Sequence, residues 1–308
     1  MEFLRIFPLV DPEDGPIEVV ERKGLGHPDT LADGLAEAVS VAYSRFCLER
    51  FGLVLHHNLD KLYIGAGLFE RDFGSGRMIK PVKVVLNGRI SNEMHGERFN
   101  VEAIQTDAVR SYLKPILPHL DVIREVEISP NATQYSQRPY WFSPRNRNDI
   151  PDASITSAND TAICVAHWPR TICEHLAYEL EQFFWQWEGG IPKPRYEDVG
   201  QDIKTMVYRE GRKIDITVCV PLISTRCQSH KDYLDRILEL EDILQGYADG
   251  IVSPRSYEVS VKINPSREGG RRLFLLAIGS CIECGKEGVV GRGNANSGVI
   301  SVFRPHSM

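Results

Sequence analysis

The sequence predicts an α+β fold, and three observations carry that prediction. A long helical repeat runs from 30 to 51, and short β-branched runs recur through the rest of the chain. The two kinds of segment alternate in groups, with Gly and Pro between them. Strict strand–helix alternation would argue for a single parallel sheet, whereas grouped alternation argues for α+β packing.

In the first helix Leu31, Leu35, Val39, Ala42 and Phe46 recur at helical spacing. Pro28 sits in the first turn, where its missing N–H costs nothing, and Gly52 is placed to cap the C-terminus. Strands are expected at 62–64, 82–86, 122–128 and 161–166, then at 214–220, 257–263 and 273–278. Further helices are expected at 173–187 and 231–244. Residues 136–153, rich in Arg, Asn, Pro and Ser, read as a surface loop. No internal repeat is legible in the residues themselves. The expected division is a first unit over 1–135, a second over 136–255 and a remaining unit over 256–308.

With 308 residues, 42% of them hydrophobic, the chain has ample material for a large core. A net charge of −6 gives no global attraction for nucleic acid or an anionic membrane, so any polyphosphate ligand needs a local cluster of Lys and Arg. The N-terminal residues do not read as a signal peptide, and no apolar stretch is long enough to span a bilayer. Seven scattered cysteines without framework spacing suit a reducing cytoplasm. Cys281 and Cys284 form a CxxC with no second pair or nearby His, which favours a structural reading over zinc or redox work.

Five segments have the residue types for chemistry. In Glu21-Arg-Lys-Gly-Leu-Gly-His-Pro-Asp-Thr30 the glycines permit a tight turn before free helix N–H groups. His27 there is a candidate proton donor, and Glu21 and Asp29 are candidate Mg²⁺ ligands. Helix capping by Asp29 and Thr30 explains the same residues blandly. His56-His-Asn-Leu-Asp-Lys61 is no zinc site, because neighbouring strand side chains point to opposite faces. Asp60 and Lys61 suit a polar pocket, though a solvated hairpin is the commoner case. Ala158-Asn-Asp-Thr161 and the stretch 199–206 follow. Asp202 and Lys204, two apart, share one face of an extended segment and suit a ribose and a phosphate. Lastly, four glycines with Lys286 and Arg292 in 285–294 make a candidate phosphate cradle without Walker or GxGxxG spacing.

Together and in this order, these segments resemble the archaeal-type S-adenosylmethionine synthetases (methionine adenosyltransferases). The matching stretches are 21–30, 56–61, 158–161, 200–206 and 291–294, with Arg304-Pro305. The resemblance implies three similar α+β units around a pseudo-threefold axis, the last incomplete here, and a homodimer with shared active sites. It implies attack of the methionine sulfur on C5′ of ATP, followed by cleavage of the released triphosphate, with Mg²⁺ required and K⁺ assisting. By that resemblance His27 stabilises the departing oxygen, and Lys204, Lys286 and Arg292 grip phosphates. Asp202 and Asn294 contact the nucleotide, and Asp29 and Glu21 hold Mg²⁺. Asp160, from the other subunit, serves the amino-acid substrate, as do Asp60 and Lys61.

Four departures stand against this. The family's acidic pair before Val-Gly-Arg-Gly-Asn is replaced by Lys286 and Glu287, and the Arg after that motif by Ala295. A mid-chain Gly-Ser-x-x-Leu segment has no match. The Lys-bearing Gly-Lys-Asn-Pro segment implied beyond Arg304-Pro305 has none up to Met308. Two consequences are open: an adenosyltransferase of altered nucleophile, with Lys286 supplying positive charge, or an impaired ATP-binding partner of an intact synthetase. Retention of His27, Asp29, Lys204 and Arg292 favours activity. A structural or nucleic-acid-binding role is disfavoured by the acidic charge and the lack of a basic stripe.

Overall fold

The structure, a computed structural model, describes residues 15–137, 140–150 and 169–291. Strand β1 (Ile17–Lys23) leads into helix α1 (Pro28–Phe51) and strand β2 (His57–Gly65). The hairpin of β3 (Leu68–Asp72) and β4 (Ser75–Lys80) precedes β5 (Val82–Ile90). The short pair β6 (Glu93–Met94) and β7 (Glu97–Arg98) then leads to helix α2 (Val101–Ile116) and β8 (Val126–Thr133). A second run begins with α3 (Ile172–Gln182), β9 (Trp185–Glu188), β10 (Ile191–Pro194), β11 (Lys204–Glu210) and β12 (Lys213–Cys219). It continues through β13 (Leu222–Ile223), α4 (His230–Val252), β14 (Glu258–Ile263), β15 (Leu275–Leu276) and β16 (Gly288–Val289).

The two runs share one plan. In the first, α1 is followed by the antiparallel pair β2–β5, then α2 and a parallel return strand, β8. In the second, α3 is followed by the antiparallel pair β11–β12, then α4 and a parallel return strand, β14. Each four-stranded sheet is completed by an antiparallel edge strand from a distant part of the chain. β16 joins β2 in one, and β1 joins β11 in the other. This repeat is invisible in the residues because it is a repeat of hydrogen-bonding topology. Two units of this plan lie among the described residues. The segment expected as a remaining unit, 256–308, gives β14 to the second sheet and β16 to the first.

Helix α1 forms as its sequence predicts. Gly52 takes the left-handed conformation (φ 70°) and closes the helix through its N–H to the Leu48 carbonyl. Leu31, Leu35 and Val39 are fully buried against Leu62, Ile64 and Val84 of the first sheet. Each such side chain stabilises the fold by about 1.5–3 kcal/mol.

Three expectations shift. The helix expected at 173–187 stops at Gln182, and Trp185–Glu188 turn back as strand β9. Gly189 and Gly190, both at positive φ, supply the hairpin turn to β10. The strand expected at 122–128 starts at Val126. Before it, the Asp121 carboxylate accepts the N–H groups of Ile123 and Arg124 and holds a turn. Of 273–278 only Leu275–Leu276 pair as a strand, with β13. The strand expected at 161–166 lies outside the described residues.

Candidate active site

The loop between β1 and α1 carries His27 because two other segments close around it. The Gly24 N–H donates to the Ile203 carbonyl (2.7 Å) and the Gly26 N–H to the Gln201 carbonyl (3.1 Å). A Cβ on Gly26 would lie 2.5 Å from Gln201 backbone and side-chain atoms, so only glycine permits this approach. The Ser280 hydroxyl donates to the Gly26 carbonyl at 2.7 Å, and the Gly279 carbonyl accepts from the N–H groups of Gln201 and Asp202. A Cβ on Gly288 would lie 1.8 Å from the Pro28 carbonyl oxygen, seating β16 against the start of α1. Segments 21–29, 200–204 and 279–289, far apart in sequence, thus form one site.

Within it, His27 is the N-cap of α1, and its Nδ1 accepts the Asp29 N–H at 3.1 Å. A nitrogen that accepts carries no proton, so the neutral ring holds its proton on Nε2. Burial lowers the imidazole to about 4, helped by Lys23, Lys204 and Lys286 and opposed by Asp29. His27 is therefore neutral near pH 7, a hydrogen-bond donor among cations.

Three lysines surround it. Lys23 Nζ pairs with Asp29 Oδ2 at 2.9 Å and Lys204 Nζ with Glu21 Oε2 at 3.1 Å. Lys23 and Lys204 are register partners across β1 and β11, and Glu21 lies two residues back on the face of Lys23. Arg22, between them, points the other way and pairs with the buried Glu181 at 2.9 Å, which also accepts from Trp185 Nε1. Lys286 lies within electrostatic reach of both His27 and Asp202. Asp202 Oδ2 accepts the Cys281 N–H at 2.9 Å. Its carboxyl is pushed up to about 6 by burial, against that hydrogen bond and the two lysines.

His27, Asp29, Glu21, Asp202, Lys204 and Lys286 are thus brought together. Lys23 joins them although it was not singled out in the sequence; its alternation with Arg22 on a strand was the signal that could have found it. Asp160, Arg292 and Asn294 lie outside the described residues, as does the Asp60 side chain. Lys61 is exposed on β2, on the face opposite the buried Leu62 and Ile64. The two histidines point to opposite faces as expected. His57 Nε2 meets the Ser40 hydroxyl at 2.7 Å, while the His56 ring stacks on Trp141 at 3.9 Å. A large cleft of about 810 Å³ lies on the neighbouring flank, lined by Arg22, Tyr112, Tyr178 and Trp187. It borders the His27 loop at Lys23, Leu25 and Thr30.

No group of three or more His, Cys, Asp or Glu side chains that could hold a metal occurs among the described residues. Asp29 and Glu21 are hard oxygen donors, however, and among the described residues Asp29 Oδ1 takes a long contact, 3.5 Å, from the Val289 N–H. One or two carboxylates with spare lone pairs fit Mg²⁺, which usually arrives with its phosphates and keeps several waters. No helix among the described residues is long and apolar enough to cross a membrane.

Mixed sheets carrying a neutral histidine, three lysines and a buried aspartate define a site equipped for a polyanion with a polar head. Residues 6–308 match the S-adenosylmethionine synthetase (AdoMet synthetase) family, and the chain belongs to it. It is 39% identical over 300 residues to an uncharacterized protein of Streptococcus pyogenes serotype M3, covering 97% of this chain and 73% of that one. It is 35% identical over 311 residues to the S-adenosylmethionine synthase of Methanocaldococcus jannaschii, covering 97% and 73%. Among solved structures, an unusual S-adenosylmethionine synthetase from Campylobacter jejuni matches with a TM-score of 0.47 at 15% identity, covering 94% of this chain and 68% of that one.

Proposed function

We propose that the protein transfers the adenosyl group of ATP to a small nucleophile, methionine being the first candidate, with release of the triphosphate. The observation that carries this reading is the neutral His27 ring, its Nε2–H presented among Lys23, Lys204 and Lys286. Displacement at C5′ leaves charge on the departing triphosphate, so the catalytic need is alignment and electrostatic stabilisation. His27 donates its Nε2 hydrogen to the oxygen that leaves C5′. A neutral donor serves better than an imidazolium here, because it costs nothing to hold beside three lysines. Lys23, Lys204 and Lys286 seat the phosphates, joined by Arg292. Asp202, with Asn294, accepts from nucleoside hydroxyl or amino groups. Asp29 and Glu21 hold Mg²⁺, which supplies charge neutralisation on the triphosphate when bound. K⁺ assists, as the resemblance implies. The site is completed across a homodimer, with Asp160 of the second subunit holding the amino-acid substrate, and Asp60 and Lys61 contributing to its pocket.

A second reading concerns the nucleophile. Lys286 lies within reach of both His27 and Asp202, where a substrate ammonium group would be repelled. A nucleophile lacking that ammonium, or carrying extra negative charge, suits this site better than methionine. The experiment is incubation with ATP, Mg²⁺, K⁺ and methionine or its deaminated thioether analogue, with mass spectrometry of adenosyl products. An adenosyl sulfonium from either acceptor supports the transfer. ATP that binds but yields none from any thioether refutes it and leaves a nucleotide-binding partner.

A further inference from the structure

We propose that Cys281 and Cys284 form a thiol–disulfide modification site that reacts with low-molecular-weight disulfides and, when oxidised, loosens the hold on Asp202. The coupling to nucleotide rests on the adenosyl-transfer reading above; the modification itself does not.

The two residues bracket a 3₁₀ turn over Cys281–Glu283, with the Cys284 N–H donating to the Cys281 carbonyl at 3.1 Å. Side chains at i and i+3 of such a turn lie over one another, which is the placement a short-loop disulfide requires. The Cys284 thiol donates to the Cys281 carbonyl at 3.2 Å, which holds its sulfur over the turn, and both side chains are partly exposed. The frame around them is fixed. The Gly67 N–H donates to the Ile282 carbonyl, the Gly285 N–H to the Gly67 carbonyl, and the buried Glu283 carboxylate accepts from Ala277 and Ile278.

The two sulfurs differ in chemistry. The Cys284 thiol is lowered to about 6 by the neighbouring Cys281 thiol, with Arg71 and Lys286 adding to it against burial. The Cys281 thiol is raised, first by Cys284 and then by burial and Asp202. Such a pair has one attacking and one resolving thiol. Cys284 thiolate attacks one sulfur of the reagent, whose S–S bond breaks and releases one thiolate. Cys281, whose backbone N–H the Asp202 carboxylate accepts, gives up its thiol proton to water, and its sulfur attacks the Cys284 sulfur. The mixed disulfide breaks, the second reagent thiolate leaves, and it takes a proton. Two protein thiols lose two electrons, and one reagent disulfide gains them.

The consequence reaches the site through one residue. Asp202 Oδ2 accepts the Cys281 N–H at 2.9 Å, so its position is tied to the Cys281 backbone. Closing the disulfide draws that backbone toward Cys284 and leaves Asp202 displaced or less restrained. Nucleotide affinity should fall about tenfold, the effect of one hydrogen bond to a charged group.

The test exposes the native full chain to glutathione disulfide and maps its cysteines by mass spectrometry after trapping. A Cys281–Cys284 disulfide, absent in Cys284→Ser, is expected. Two alkylatable thiols at these positions would overturn the modification site, and glutathione retained on Cys284 would overturn its closure onto Cys281 and the coupling that depends on it. Binding of the β,γ-imido analogue of ATP is then titrated in both redox states. Weaker binding by the oxidised wild type but not by oxidant-treated Cys284→Ser is expected; equal binding in both states overturns the coupling. Absence of binding in the reduced protein would refute the nucleotide reading and the coupling together, while the disulfide is judged on its mass alone.

Discussion

Lys23 and Lys204 stand directly opposite each other as register partners across β1 and β11, and each is held by a carboxylate, Asp29 at 2.9 Å and Glu21 at 3.1 Å. Like charges opposed on a sheet are destabilising unless something compensates. Here the compensation comes from the two residues proposed to take Mg²⁺. The proposed phosphate seat is thus kept assembled by the two carboxylates proposed to take Mg²⁺.

Lys204→Gln should weaken ATP binding about 10- to 100-fold, the range for a lost charge-assisted hydrogen bond. Its thermal stability should barely change, because the Lys204–Glu21 pair is about a third exposed and such pairs are worth little in water. Calorimetric titration beside a melting curve checks both. A large stability loss with unchanged affinity would make Lys204 structural.

Glu181→Ala should behave in the opposite way. Its carboxylate is fully buried and pairs with Arg22, which sits next to Lys23 on β1. Removing it strands a buried cation and should cost about 3–5 kcal/mol in urea unfolding. A loss below about 1 kcal/mol would mean that Arg22 finds a substitute partner.

The pH dependence of the ligand-free protein separates two buried groups. His27 is lowered from 6.5 to about 4, so between those values the unfolded chain holds a proton that the native one does not. Stability from this group is complete above pH 6.5 and is lost as pH falls toward 4. Asp202 is raised from 3.8 to about 6, so its contribution is complete below 3.8 and is lost as pH rises through 6. Denaturation from pH 4 to 7 should show a flatter acid limb for His27→Asn than for wild type. Asp202→Asn should gain relative stability toward neutral pH, by about 1–2 kcal/mol. Parallel curves for all three proteins would contradict the assignment of both groups.

Lys286→Asp addresses the nucleophile. Reversing that charge restores attraction for a substrate ammonium at close range and should improve methionine use several-fold if repulsion by Lys286 limits it. Steady-state KM for methionine in the two proteins is the readout. An unchanged KM would place the selectivity elsewhere.

Much of this site was legible in the sequence because its parts are short-range chemistry. Pro28, the glycines and His27 mark a helix start, and Asp202 and Lys204 stand two apart where β11 begins. Their convergence was not legible, since it depends on Gly26 lying against Gln201 and Gly288 against Pro28, contacts across more than 170 residues. The pairing of β1 with β11 was equally hidden, and with it the role of Lys23. The shortened helix α3 was missed because Trp185 and Trp187 continue an apolar pattern that the two following glycines reverse. Helix α1, whose signals are all local, came through with its cap intact.

The account turns on attack at C5′, with His27 assisting departure of the triphosphate. The most direct measurement uses ATP carrying ¹⁸O in the bridge between C5′ and the α-phosphorus, incubated with Mg²⁺ and a thioether acceptor. Cleavage of the C5′–O bond predicts that the label leaves with the triphosphate or its hydrolysis products, in wild type and far more slowly in His27→Asn. Label retained on the nucleoside would mean attack at phosphorus, and would contradict adenosyl transfer at this site.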